Sequence, residues 1–255
     1  IKTQELVSEG ICMEIGVKTD IGKIRDINQD AYYISSLSKH PLVIIADGMG
    51  GHKAGEIASN MAVEIISSNL EKDLVGSSLN DNDIKDIIKC SISKANEEIY
   101  NKSLEDEKFS GMGTTVTLAY KKNKKIFIGH VGDSRAYLFR KGVLSQLTKD
   151  HSLVEELIRN GSISREEAKI HPQRNIITRA VGTSKEIESD LIIQEKLIDD
   201  ILLLCTDGLT NMVMDEEIEK YLYKCHDMQK VCEELVRTAN DKGGFDNITV
   251  LAIKF

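Results

Sequence analysis

Two apolar runs in this chain end directly in Asp-Gly: Leu42-Val43-Ile44-Ile45-Ala46-Asp47-Gly48 and Ile201-Leu202-Leu203-Leu204-Cys205-Thr206-Asp207-Gly208. Each reads as a buried strand that delivers a carboxylate to a sheet edge. The arrangement recurs where Ile126 to Val131 runs into Gly132-Asp133, where Asp30 precedes Ala31-Tyr32-Tyr33-Ile34, and where Asp246 stands just ahead of Ile248 to Ile253. Carboxylates gathered at buried strand ends oppose each other's ionisation unless cations neutralise them, so a hard-metal site is the economical explanation. Mg²⁺ and Mn²⁺ take oxygen ligands in near-octahedral arrays and let water fill positions that a few carboxylates leave. Two such ions about 3.5–4 Å apart can share a bridging hydroxide and aim it in line at phosphorus. Phosphate-ester hydrolysis is the matching chemistry. An isolated Asp-Gly is only a turn signal; its recurrence after buried runs carries the inference.

The elements that must position these residues are mostly strands. Alternating or continuous apolar patterns predict strands over 14–19, 31–37, 42–46, 114–120, 125–131, 135–140, 143–146, 190–194, 201–205 and 248–253. The breaks at Lys121-Lys122-Asn123-Lys124 and Lys141-Gly142 read as hairpin turns, which implies antiparallel pairing and disfavours a Rossmann-type sheet. Helical spacing places Ile57, Ala58, Met61, Ala62, Ile65, Ile66 and Leu70 on one face, and Ile84, Ile87, Ile88, Ile92, Ala95 and Ile99 on another. A second helix pair is expected near the carboxyl end, where Met228, Val231, Cys232, Leu235, Val236 and Ala239 repeat the pattern. In the last strand Ile248 and Val250 face one way and Leu251 and Ile253 the other, so both faces should be buried. The expected architecture is α+β: a four-layer αββα sandwich of two central antiparallel sheets, each covered by a helix pair.

The chain has 255 residues and no Pro/Gly/Ser-rich linker between its halves, which points to a single domain over 13–255. Residues 1–12 lack a clear periodicity and are read as a tag remnant or upstream extension. No apolar run approaches a membrane span. A net charge of -8 and the lack of aromatic-basic clusters disfavour nucleic acid, and with it a two-metal nuclease or phosphodiesterase. The five cysteines form no CxxC pair and no signal peptide opens the chain, which fits a reducing cytosol. Cys225, His226 and Cys232 lack the paired spacing of zinc ligands and read as ordinary helix-face residues. No cysteine is followed by arginine at the Cys-x5-Arg spacing, so a thiolate nucleophile has no support. The polar stretch 149–182 interrupts the strand series and is either a flap for substrate selection or a structural loop.

Six segments together carry a family resemblance: Arg25-Asp26-Ile27-Asn28-Gln29-Asp30, Asp47-Gly48-Met49-Gly50-Gly51-His52, Ser110-Gly111-Met112-Gly113-Thr114-Thr115, Gly132-Asp133-Ser134-Arg135, Cys205-Thr206-Asp207-Gly208 and Asp246-Asn247-Ile248-Thr249. In this order they resemble the metal-dependent serine/threonine protein phosphatases, the PPM or protein phosphatase 2C family, in its compact bacterial form. The resemblance implies the same αββα sandwich and two catalytic Mn²⁺ or Mg²⁺ ions. By motif, Asp47 would bridge both ions, the Gly48 carbonyl would bind one, Asp207 and Asp246 would complete the other, and Asp30 would act through water. Asp133 would join Asp207 at a third, weaker metal site. Arg25 matches the residue that binds substrate phosphate, a role suited to a planar guanidinium. The implied reaction is hydrolysis of phosphoserine and phosphothreonine by direct attack of a metal-bridging hydroxide. The implied partners are phosphorylated proteins, with a cognate bacterial serine/threonine kinase and its targets as the signalling counterpart in the cytoplasm.

Two positions depart from the better-known eukaryotic pattern. Gln29 replaces a glutamate beside the metal-linked aspartate, and Met49 replaces a histidine assigned as general acid. Methionine cannot donate a proton, which leaves a metal-bound water or His52 to do so. The resemblance extends to Leu147 to Leu153 and His171 to Ala180, and favours the flap reading of 149–182. Arg174 and Arg179 would either contact acidic phosphopeptides or hold flap carbonyls. The reading from another class is a non-catalytic module that keeps the fold and binds phosphoproteins; the complete set of metal aspartates argues against it.

Overall fold

The computed structural model describes residues 4–8, 11–35, 41–51, 53–74 and 79–255. In chain order its strands are β1 (Gln4–Ser8), β2 (Ile11–Asp20), β3 (Asp30–Ile34), β4 (Leu42–Met49), β5 (Gly113–Thr114), β6 (Val116–Lys122), β7 (Lys125–Val131), β8 (Arg135–Arg140), β9 (Val143–Gln146), β10 (Asp190–Glu195), β11 (Ile201–Cys205) and β12 (Ile248–Lys254). The helices are α1 (Ala54–Asp73), α2 (Asp81–Ser103), α3 (Leu153–Arg159), α4 (Arg165–Lys169), α5 (Asp207–Thr210), α6 (Asp215–Lys224) and α7 (Met228–Asp241). One sheet runs β1-β2-β12-β11-β8-β9; the other runs β10-β7-β6-β4-β3, with β5 on the end of β4. Every pairing is antiparallel, and the hairpin turns place Asn123 and Lys141 at positive φ.

The αββα sandwich follows from period-2 alternation in strands buried on both faces. Leu42, Ile44 and Ala46 of β4 pack under α1 and α2, whereas Val43 and Ile45 enter the core between the sheets. Ile248, Val250 and Ala252 of β12 pack under α6 and α7, whereas Leu251 and Ile253 face the opposite sheet, as the strand pattern predicts. Three apolar layers thus separate four layers of structure.

Helix ends follow local chemistry. Asn80 caps α2 in a reciprocal box with Asp83, and Asp227 caps α7 by accepting from the Lys230 amide. The apolar face of α1 is narrower than its spacing predicts: Ala58, Ala62, Ile66 and Leu70 are buried, while Ile57, Met61 and Ile65 are only partly covered. Ala58 and Ala62 on the sheet side let α1 approach closely, which leaves Ile57, Met61 and Ile65 toward its rim while Ile66 and Leu70 stay buried.

Other differences are local. The strand expected over 114–120 is split at Thr115, whose amide and hydroxyl are both committed to Asp47. Residues 4–8 and 11–12, expected to lie outside the domain, extend the first sheet through the β1–β2 pairing. Main-chain pairing needs no side-chain periodicity, which is why the pattern is legible only from Met13. Cys232 lies on the buried face of α7, Cys225 ends α6 as its cap, and among the described residues no zinc-type cluster forms. Among the described residues no helix is long and apolar enough to cross a membrane.

Candidate active site

The alternation that builds the core between the sheets also builds the site at its end. Asp47 follows Val43 and Ile45 in parity on β4, and Asp30 precedes Tyr32 and Ile34 in parity on β3; the two aspartates are register partners. From the opposite sheet, Thr249 shares parity with Leu251 and Ile253, and Thr206 with Leu202 and Leu204. Where the apolar side chains stop, the facing positions become carboxylate and hydroxyl. Asp30 Oδ2 accepts from Thr206 Oγ1 at 3.0 Å and from Thr249 Oγ1 at 2.6 Å, so one oxygen of Asp30 is fixed by β12 and the end of its neighbour β11 in the facing sheet.

Asp47 is held through its main chain. Its amide donates to Thr115 Oγ1 at 2.9 Å, and its carbonyl accepts from the Thr115 amide at 2.8 Å and Thr114 Oγ1 at 2.9 Å. The Thr114-Thr115 pair therefore fixes the backbone of Asp47. Gly48 is obligatory here, because a Cβ would stand 2.0 Å from the Gly55 carbonyl and 2.7 Å from that of Gln29. Asp207 opens the short helix α5, and its Oδ2 accepts from Asn211 Nδ2 at 3.0 Å. Asp246 sits in the loop before β12, where Oδ1 accepts from the Asn247 amide at 2.9 Å and Oδ2 from Arg25 Nη2 at 2.8 Å. Asn247 ties this loop down by donating to the carbonyls of Ile21 and Ile27 and accepting from the Gln29 amide.

Electrostatically the cluster is loaded with negative charge. Burial lifts Asp30 to about 7, with Asp207 and Asp246 adding to the rise and the Thr249 and Thr206 hydroxyls opposing it. Asp47 is pushed well above the ordinary carboxylate range, first by burial and then by Asp30, Asp207, Asp133 and Asp246. Burial and Asp246 raise Asp207 to about 6, against the bonds from Asp47 and Asn211 and the charge of Arg25. Asp133 is raised by burial and then by Asp207 and Asp150. Asp47 and Asp207 keep a solvent-facing edge, yet enough protein surrounds each that desolvation leads.

Within this cluster, Oδ1 of Asp30, Asp133 and Asp207 are buried without a hydrogen-bond partner. Buried carboxylate oxygens of this kind normally have one. A donor set made only of oxygens, with orphaned lone pairs and mutually raised protonation, fits hard divalent cations. Among the described residues no group of three or more Asp, Glu, His or Cys side chains is placed to hold a metal ion by itself; fewer carboxylates would leave positions for water on a hard cation.

The sequence-predicted site residues thus come together, with Arg25 at the rim as an exposed ion pair. Three supports lie inside the quoted motifs but received no role from them: Thr206 and Thr249, legible afterwards from strand parity, and Asn247, whose role depends on loop contacts. The Gln29 main chain links three elements, accepting from Gly48 N and Ser59 Oγ and donating to Asn247. Met49 ends β4 half-buried; His52 lies outside the described residues.

The stretch 149–182 carries α3 and α4 and is fastened at both ends beside the site. His151 Nδ1 accepts from the Gly132 amide at 3.0 Å, one residue before Asp133, and Val181 pairs with Thr114. Arg135 grips Asp150 with three hydrogen bonds of 2.7–3.0 Å. Arg179 bonds His151, the Glu188 carbonyl and Asp190 of β10, so it fastens the stretch to the neighbouring strand instead of holding carbonyls within 149–182.

A family model described as Protein phosphatase 2C matches residues 24–249, a span that includes all of these carboxylates. The chain belongs to the protein phosphatase 2C family. This phosphatase is 40% identical over 243 residues to the serine/threonine phosphatase stp of Listeria innocua, covering 95% of this chain and 96% of that one. It superposes on the S. agalactiae serine/threonine phosphatase with a TM-score of 0.88 at 39% identity, covering 95% of this chain and 99% of that one. A crystal structure of the catalytic domain of the phosphatase PstP in complex with 2 manganese ions matches with a TM-score of 0.81 at 31% identity, over 95% of this chain and 97% of that one. The protein is accordingly a metal-dependent serine/threonine phosphatase, a hydrolase acting on phosphoproteins. The alternative of a non-catalytic binding module is not favoured.

Proposed function

We propose that this phosphatase releases phosphate from phosphoserine and phosphothreonine using two Mn²⁺ or Mg²⁺ ions held between its sheets. Asp47 would bridge the ions, the Gly48 carbonyl would serve one, Asp207 and Asp246 the other, and Asp30 would act through water. When bound, the ions supply Lewis acidity and an acidified water for direct attack at phosphorus, without a covalent phosphoenzyme. The chain's own contribution is to hold that charge in place: Thr206 and Thr249 fix one oxygen of Asp30, and Thr115 fixes the Asp47 backbone. Arg25, released from Asp246 by the incoming phosphate, would orient it with paired donors. The PstP complex with 2 manganese ions supports the ion count.

The observation that carries this reading is the set of orphaned carboxylate oxygens on Asp30, Asp133 and Asp207. Phosphate release from a phosphothreonine peptide should require Mn²⁺ and stop on chelation with EDTA; turnover that survives chelation would sink it. Asp133 with Asp207 is assigned a third, weaker ion. In a calorimetric Mn²⁺ titration Asp133→Asn should remove only the weakest binding step, and an unchanged titration would refute that assignment.

The cellular counterpart is a serine/threonine kinase and its substrates in the cytoplasm. The bacterial relatives named serine/threonine phosphatase and protein phosphatase support phosphorylated proteins as the substrates. Deleting the gene should raise phosphothreonine on soluble proteins, and an unchanged phosphoproteome would argue against it.

A further inference from the structure

Large apolar side chains stand exposed beside the phosphate-binding rim. Ile24 is 64% exposed and is the chain neighbour of Arg25; Phe245 is 59% exposed and is the chain neighbour of Asp246. Arg25 and Asp246 are themselves 2.8 Å apart, so the two apolar residues flank one ion pair from separate loops. Ile21 adds a third exposed apolar side chain on the first loop.

These loops are fixed to each other. The Lys23 amide donates to the Gly244 carbonyl at 2.7 Å, Asn247 Nδ2 donates to Ile21 O at 2.9 Å, and a Cβ on Gly22 would stand 2.3 Å from the Asp246 carbonyl. Gly243 has φ +140°, and a Cβ there would come within 2.7 Å of the Phe245 ring. The ring therefore lies against bare glycine backbone, held by one side and open on the other. Isolated exposed apolar residues are ordinary. A supported aromatic ring and an isoleucine on clamped loops at a catalytic mouth resemble the preformed anchors of recognition surfaces.

We propose that Ile24 and Phe245, with Ile21, form an apolar shelf that receives an apolar side chain immediately next to the phosphorylated residue of a protein substrate. The proposal rests on the reading of Arg25 and the carboxylates as the phosphate site. Adjacent residues of an extended segment have Cα atoms about 3.8 Å apart, so a residue next to the phosphorylated one falls beside the Arg25–Asp246 pair. The shelf is continuous with the site that takes the phosphate, and this singles out the substrate as its occupant.

The test compares p-nitrophenyl phosphate with phosphothreonine peptides carrying Leu or Ser immediately before or after the phosphorylated residue, all with Mn²⁺. The wild-type kcat/KM should favour Leu on at least one side by about 5–10-fold, the scale of partly burying one such side chain. The double variant I24S/F245S should bring that ratio to about 1 while p-nitrophenyl phosphate turnover stays unchanged. If it lowers the Tm, the single variant I24S should still reduce the ratio. A wild type without Leu preference, or a variant that keeps it, overturns the shelf. Self-association by sedimentation that the variant abolishes would give the shelf to a second copy of the chain and also overturn the proposal. Failure to hydrolyse even p-nitrophenyl phosphate would instead strike at the metal-phosphatase reading.

Discussion

Asp207→Asn is expected to stabilise the metal-free phosphatase at neutral pH while removing most of the stabilisation that Mn²⁺ provides. Lifting a carboxyl from 3.8 to about 6 corresponds to about 3 kcal/mol of unfavourable ionisation once the pH exceeds the folded value. The solvent-facing edge of Asp207 and its shared repulsion with Asp246 reduce that to about 1.5 kcal/mol. The sign follows from linkage. Below pH 3.8 the carboxyl is protonated in both folded and unfolded chains and contributes nothing. Between 3.8 and about 6 the folded chain holds the extra proton, so stability falls as pH rises, and the full penalty is present above about 6. Asparagine carries no charge and its Oδ1 can still accept from Asn211. For a domain of this size about 1.5 kcal/mol is about 3–6 °C in Tm. Calorimetry in EDTA should therefore show the variant and wild type melting together near pH 4, and the variant about 3–6 °C higher at pH 7.5. Adding Mn²⁺ should raise the wild type well above the variant. A variant that melts lower than wild type in EDTA at pH 7.5, or a difference that does not grow with pH, would refute the account of a repulsive carboxylate cluster.

Thr249→Val removes the 2.6 Å bond to Asp30 and should cost about 1–3 kcal/mol in urea unfolding at pH 8, as expected for a buried group losing a donor. Thr249→Ser should recover most of that, and a valine variant as stable as wild type would contradict the role given to the hydroxyl. Arg25→Ala should raise the KM for a phosphothreonine peptide about 10-fold and leave calorimetric Mn²⁺ affinity nearly unchanged; an unaltered KM would free Arg25 of its phosphate role. Gly48→Ala, whose Cβ would stand 2.0 Å from a main-chain oxygen, should cost about 2 kcal/mol or more and abolish turnover. Wild-type stability in that variant would mean that the β4–α1 junction yields more readily than its packing indicates.

The sequence alone located most of the strands and both helix pairs, implied antiparallel pairing, and marked the aspartates that the fold gathers at one edge of the sandwich; the order of strands within each sheet came only from the structure. Each of the legible features depends on local periodicity or on a carboxylate fixed at the end of an apolar run. In β12 the two faces could be assigned residue by residue before any contact was seen. The α1 face was legible only in part, because spacing locates an apolar stripe while the depth of each residue depends on how closely small side chains let the helix approach. The β1–β2 hairpin was not legible, since main-chain pairing leaves no side-chain signature. Thr206 and Thr249 look like ordinary strand hydroxyls until residues 176 and 219 positions away bring Asp30 between them. Asn247 becomes a clamp only because the loop at Ile21–Ile27 folds onto it. Only tertiary structure decided these supports and the apolar rim at Ile24 and Phe245, because each depends on where distant segments meet.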